Sequence, residues 1–240
     1  MANRCDVNRG MVSMIGLSAK SALLAVVVLP FVACGGMPIY SAAPIEAWVV
    51  DSETNQLIEG AVVTANWQLV TGSLAGGEIP KGQLTVMEAV TDKSGHFYFE
   101  GWTQPNLATA ELRDKDPQIL IFKPDYNFFS FVSDYSPGRL LLGPNRKSAI
   151  TGRTLRLSKF GGSLEKYADQ LSILGTSLEN IVSDCEWKKI PRMVLALDEE
   201  RKRIKGINNR LIVLVPNVES LEGYSQRCGS ARKFFEAYQK

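Results

Sequence analysis

Histidine is almost missing from this chain, since His96 is the only one in 240 residues. A catalytic zinc held by two histidines and a glutamate cannot be assembled from it. Charge of one sign is missing too: 27 basic side chains stand against 25 acidic ones, for a net charge of +2. Such a balance gives no field strong enough to gather nucleic acid. No serine sits in Gly-x-Ser-x-Gly, and Gly143-Pro144-Asn145-Arg146-Lys147-Ser148 lacks the glycine before lysine that lets a phosphate loop wrap its ligand. These absences lead us to expect no catalytic residues, no metal, no cofactor and no nucleic-acid partner, and hence a chain that is not an enzyme.

What is present begins with an apolar run from Ala22 to Val32, preceded by Arg4, Arg9 and Lys20 and broken by Pro30. A bilayer-spanning helix needs about 20 apolar residues, so the run has the shape of an export signal rather than a membrane anchor. It ends at Phe31-Val32-Ala33-Cys34, which resembles the lipobox of bacterial lipoproteins, where cleavage precedes a cysteine that then takes a diacylglyceryl group. Ala33 and Cys34 fit that pattern and Phe31 departs from it. Cleavage after Ala43 in Ser41-Ala42-Ala43, giving a secreted or periplasmic soluble protein, and an uncleaved anchor are the alternatives. Gly35 follows the cysteine where inner-membrane lipoproteins often carry aspartate, so the resemblance implies an outer-membrane protein facing the periplasm.

Removing residues 1–33 leaves roughly 200, enough for one sizeable domain or two small ones. Of the four cysteines, Cys5 leaves with the signal and Cys34 is the expected lipid site. Cys185 and Cys228 remain, and in an oxidising compartment two leftover thiols pair. The alternative is two separately buried thiols packing as small hydrophobes.

Strand patterns fill the middle of the chain. Ile45–Asp51 and Gly60–Trp67 read as two strands joined by a turn-rich loop, and Leu84–Asp92 and His96–Phe99 flank Lys93-Ser94-Gly95 as a hairpin. Pro117–Phe122, Tyr126–Val132 and Thr154–Leu157 are further extended segments. Asp92 and Gly95 have a structural use in the turn, and the ladder of oxygen ligands of a calcium loop is absent.

Val49-Val50-Asp51, Leu57-Ile58-Glu59-Gly60-Ala61-Val62-Val63, Thr91-Asp92-x-x-Gly95-x-Phe97-x-Phe99 and Ile119-x-Ile121-x-Lys123-x-x-Tyr126 together resemble a carboxypeptidase regulatory-like domain. The resemblance covers residues 44–158, about half the chain, and implies a transthyretin-like antiparallel β-sandwich of about seven strands. It supports a fold far more than a function. Thr71–Gly82 and Leu140–Ser148 depart from it as insertions, the first expected as a mobile excursion. Related enzymes of this shape, the transthyretin-like hydrolases and intradiol dioxygenases, rely on more than one histidine.

After Gly161-Gly162 the apolar period changes to that of helices. Leu164, Tyr167, Leu171, Leu174, Leu178 and Ile181 mark a first helix capped by Ser163, and Met193, Val194, Leu197 and Ile204 a second from Pro191. Leu221, Tyr224, Cys228, Ala231, Phe235 and Tyr238 mark a third. Leu211–Val215 is a buried strand or a helix end, and the mixed-sign run Asp198–Lys205 reads as a solvated face. The fold class is thus α+β: signal peptide 1–33, tether 34–43, β-sandwich 44–160 and a region of about three helices, 161–240.

The function expected from these parts is a cell-envelope lipoprotein, held at the membrane through its lipid and serving as a structural or protein-interaction module for an unidentified envelope partner. The alternative is a periplasmic peptide- or glycan-binding protein using an aromatic patch of Trp102, Tyr126, Phe129, Phe131 and Tyr135, with Phe128 beside them. Alternating aromatics also fill sandwich cores, and exposure separates the two readings.

Overall fold

A computed structural model of the chain describes residues 39–74, 76–113, 117–132 and 147–238. Cys34, Tyr135 and the signal segment lie outside the described residues. Among the described residues ten strands precede six α-helices, so the α+β class and the sandwich hold, while the helices are about twice as many as expected.

One sheet of the sandwich is ordered β10 (Arg153–Leu157), β2 (Ile45–Asp51), β5 (His96–Phe99). The other is ordered β4 (Glu78–Val90), β3 (Val62–Gly72), β8 (Gln118–Phe122), β9 (Phe129–Val132), with short β7 (Glu111–Leu112) also pairing with β3. All pairs are antiparallel except β10 with β2. A separate two-stranded sheet joins β1 (Ile39–Ala42), in the distal part of the expected tether, to β6 (Trp102–Pro105).

Two sequence-based expectations fail here. Leu84–Asp92 and His96–Phe99 do not form a hairpin. Strand β4 pairs with β3 while β5 crosses to the other sheet and pairs with β2. The turn between them is pinned by Asp92, whose Oδ1 accepts from the backbone amides of Ser94 and His96. It is also pinned by Gly95, which has φ +69°, where an added Cβ would lie 2.5 Å from the Val49 carbonyl oxygen. Strands β2 and β3, two strands joined by a turn-rich loop as expected, sit in different sheets. The Thr71–Gly82 insertion is a continuation of the β3–β4 hairpin, paired through Thr71 with Ile79 and Gly72 with Glu78.

Alternation along β3 sends side chains to two buried faces. Val63, Ala65, Trp67 and Leu69 join Ile119, Ile121, Phe97 and Phe99 in the core between the sheets. Val62, Leu120 and Phe122 face the other way, into a second core built with the helices. The molecule is therefore layered as sheet, sheet and helices.

The helical layer comprises α1 (Leu164–Ser177), α2 (Glu179–Ser183), α3 (Pro191–Ile207), α4 (Val218–Glu222), α5 (Ser225–Cys228) and α6 (Ala231–Phe235). The first expected helix breaks at Leu178, where Ser172, Thr176 and Ser177 turn their hydroxyls back to the carbonyls four residues earlier, a pattern that bends helices. The third breaks at Gly223 and at Gly229, which has φ +78°. Met193, Val194, Leu197 and Ile204 of α3 are fully buried, as their spacing predicts. Leu211–Val215 is neither strand nor helix. It crosses α1 at Gly175, where a Cβ would come within 2.1 Å of the Leu214 carbonyl oxygen.

The run Asp198–Lys205 is not wholly a solvated face, because Asp198 and Glu200 are buried. Each is neutralised by neighbours: Asp198 by Arg201 at 2.7 Å and Lys202 at 2.8 Å, and Glu200 by Arg203 at 2.6 Å. Tyr167 donates to Glu200 and accepts from the Asp125 backbone amide at 3.0 Å, and Arg203 reaches the Asp125 carboxylate, so one network ties helices to sandwich. Burial pushes the Tyr167 hydroxyl up to about 12.

Candidate functional site

Of the aromatics singled out in the sequence as a binding patch, Trp102, Tyr126, Phe129 and Phe131 lie among the described residues. Trp102, Tyr126, Phe129 and Phe131 are half-buried and pack against the core between the sheets. Trp102 meets Trp67 edge to face at 5.4 Å, and Phe129 stacks with Phe131 at 6.4 Å. Tyr126 donates to Asp51 at 3.0 Å. Asp51 is held down at about 2, first by the Thr54 backbone amide and with help from the Glu53 amide and the Tyr126 hydroxyl. These are the bonds of a structural turn and a packed core.

His96 lies on β5 beside Trp48, with ring centroids 5.0 Å apart, and its Nε2 is 3.5 Å from Glu46. The Ser94 hydroxyl, with the His96 amide, holds Asp92 below the usual carboxylate range. Among the described residues, no three His, Cys, Asp or Glu side chains gather as metal ligands. Cys185 and Cys228 are joined by a disulfide with Cα atoms 5.3 Å apart, an ordinary separation. It links the chain just beyond α2 to the end of α5.

A polar groove lies elsewhere, where the hairpin β3–β4 passes beneath the α1–α2 bend. There Gln68, Glu78, Arg113 and Gln118 form one side of a groove of about 220 Å3, and Thr176, Ser177 and Asn180 form the other. Its floor is a chain of hydrogen bonds. Arg113 donates to Glu78 Oε2 and to Gln68 Oε1, each at 2.7 Å, and Gln68 Nε2 donates to Gln118 Oε1 at 3.3 Å.

The polar character continues inward. Thr64, Asn66 and Gln68 alternate on the helix-facing side of β3, and all are buried. Among the described residues, neither the Asn66 carboxamide nor Gln83 Oε1 has a hydrogen-bond partner. Glu88, opposite Thr64 on β4, accepts from the first turn of α3, from Met193 N at 2.8 Å and Arg192 N at 3.1 Å. Burial nevertheless pushes its carboxyl up to about 7.

No family model and no curated protein matches the chain. Solved structures match about half of the chain. A 3-chlorocatechol 1,2-dioxygenase from Rhodococcus opacus is 15% identical with a TM-score of 0.31, over 52% of this chain and 64% of that one. A chlorocatechol 1,2-dioxygenase from Pseudomonas putida is 18% identical at 0.27, over 49% and 60%. A streptococcal ancillary pilin is 17% identical at 0.24, over 52% and 31%. The chain thus spans less than two thirds of each of these proteins. The expectation that this chain is not an enzyme is withdrawn: enzymes are among the solved structures that match it, and sandwich architecture by itself excludes no catalysis. Likeness this distant assigns none of their chemistry to the chain either.

Proposed function

We propose that the protein is a cell-envelope lipoprotein whose β-sandwich, of the carboxypeptidase regulatory-like kind, is a structural or protein-interaction module held at a membrane surface by a diacylglyceryl group on Cys34. The observation that carries this reading is the Cys185–Cys228 disulfide, because such bonds persist in oxidising compartments outside the cytoplasm. The apolar run ending at Cys34 supplies the matching export signal. The absence of aspartate after Cys34 favours the outer membrane, with the module on the periplasmic side and its protein partner within reach of that surface.

Metabolic labelling with radiolabelled palmitate followed by membrane fractionation tests it. The wild-type chain is expected to carry label and to sediment with membranes, and Cys34→Ala is expected to lose both. Label retained in Cys34→Ala would overturn the anchor assignment.

A further inference from the structure

We propose that the groove beneath the α1–α2 bend binds the neutral, hydroxyl-rich end of a saccharide. Each sugar hydroxyl both donates and accepts; in the groove the Gln118 Nε2 and the Asn180 carboxamide can donate, and the Asn180 carboxamide oxygen and the Thr176 and Ser177 hydroxyl oxygens, whose hydrogens go to helix carbonyls, can accept. Among the described residues, Gln118 Nε2 and the Asn180 carboxamide make no hydrogen bond, which leaves them for a ligand. Arg113 and Glu78 neutralise each other across 2.7 Å. Among the described residues that line the groove, these are the only charged side chains, and their pairing disfavours a phosphate, carboxylate or ammonium as the ligand.

A peptide fits less well. Extended peptides bind by adding to a free strand edge, whereas β3 at the groove is paired with β4 on one side and β7 on the other, and the edge strand β4 presents Pro80 there, which has no N–H to give an added strand. Only side chains are on offer, fixed in place by the Arg113–Gln68–Gln118 hydrogen bonds. The volume of about 220 Å3 lies below the range of roughly 300–1,000 Å3 usual for drug-sized ligands. It suits one sugar ring, with the rest of an oligosaccharide leaving through the mouth.

A second observation points the same way. Asn66, 1% exposed and without a partner among the described residues, stands one step inward of Gln68 on the same face of β3. Buried amides in native proteins are normally satisfied. An unsatisfied one directly behind a polar groove marks a strand face kept polar at a cost to packing. With no aromatic ring in the groove lining, affinity rests on hydrogen bonds and is expected near a Kd of about 1 mM.

The test is a titration of the purified, isotopically labelled full chain with chitotriose and with cellotriose, followed through the side-chain NH2 signals of Gln68, Gln118 and Asn180. Trigalacturonate and trialanine serve as the charged and peptide probes. A neutral trisaccharide is expected to shift these signals saturably. Asn180→Ala and Ser177→Ala, both at the groove's rim, are expected to weaken it by about tenfold or more with unchanged melting temperature. The proposal is overturned if neither neutral sugar moves those signals, if trigalacturonate or trialanine binds more tightly, or if both variants bind as the wild type does.

Discussion

The two faces of strand β3 are built by different rules. Toward β2 and β5 it shows Val63, Ala65, Trp67 and Leu69, all apolar. Toward the helices it shows Val62 followed by Thr64, Asn66 and Gln68, with Glu88 and Gln118 alongside on β4 and β8. The first face gains its stability from removing apolar area from water, a non-directional force. The second adds directional contacts, Glu88 to the α3 N-terminus and Tyr167 to Asp125 and Glu200, which set where the helices sit. On this view the inter-sheet core decides whether the chain folds, and the polar seam decides how the helical layer is placed.

The largest effects should therefore come from the first face. Trp67→Ala, at a site 1% exposed, is expected to cost about 3–5 kcal/mol, read as a lower urea midpoint with sheets and helices unfolding together. Reduction of Cys185–Cys228 should come next. Its partners are 43 residues apart, and a loop of that length corresponds to about 4 kcal/mol by chain entropy, within a usual range of about 2–5. Hydrogen exchange checks the contrast: reduction should expose amides of α3 to α6 while β3 and β8 stay protected. Equal loss of protection in both layers would show that the two faces do not behave separately.

Proton linkage sharpens the comparison further, because the polar seam holds a carboxyl that titrates near neutrality. Glu88 has an ordinary value of 4.5 and is raised to about 7 in the folded chain, first by burial. Its folded state therefore binds the proton more tightly than its unfolded state. The stability this gives is complete below about pH 4.5 and is lost as pH rises toward and through about 7. The loss is expected to be on the order of 1–3 kcal/mol, seen as a falling denaturation midpoint between those pH values. Glu88→Gln should flatten that slope. A slope unchanged in the variant would place the titration elsewhere.

Strand β2 and strand β5 begin and end where their residue patterns predict, and so does the buried stripe of α3, because these signals are local. The sheet that each strand joins is a non-local property. The Asp92–Gly95 turn looks like a hairpin turn in sequence but serves here as a crossover between sheets. The groove was hidden for the same reason, since Gln68, Arg113 and Asn180 meet only after the helices fold back over β3. One sign was legible. Thr64, Asn66 and Gln68 alternate with apolar residues as on a strand with a wet face, yet the helices cover that face, and a polar stripe under a cover is where a site should be sought.

The smallest expected effect has the opposite sign to the rest, and for that reason it tests the comparison most directly. Asn66 stands between Val86 on β4 and Gln118 on β8, with Leu120 one step along, while both polar atoms of its carboxamide lack partners among the described residues. Leaving a buried polar group unpaired costs about 1–3 kcal/mol, and valine suits a strand interior better than asparagine does. Asn66→Val should therefore stabilise the chain by about 1–2 kcal/mol, raising the melting temperature by about 2–8 °C for a chain of this size. The same change at an already apolar site facing the other sheet, such as Ala65→Val, adds volume to a filled core and should destabilise. If Asn66→Val instead lowers the melting temperature, the seam beneath the helices is satisfied in solution, and the two faces of β3 differ in composition but not in how well they are packed.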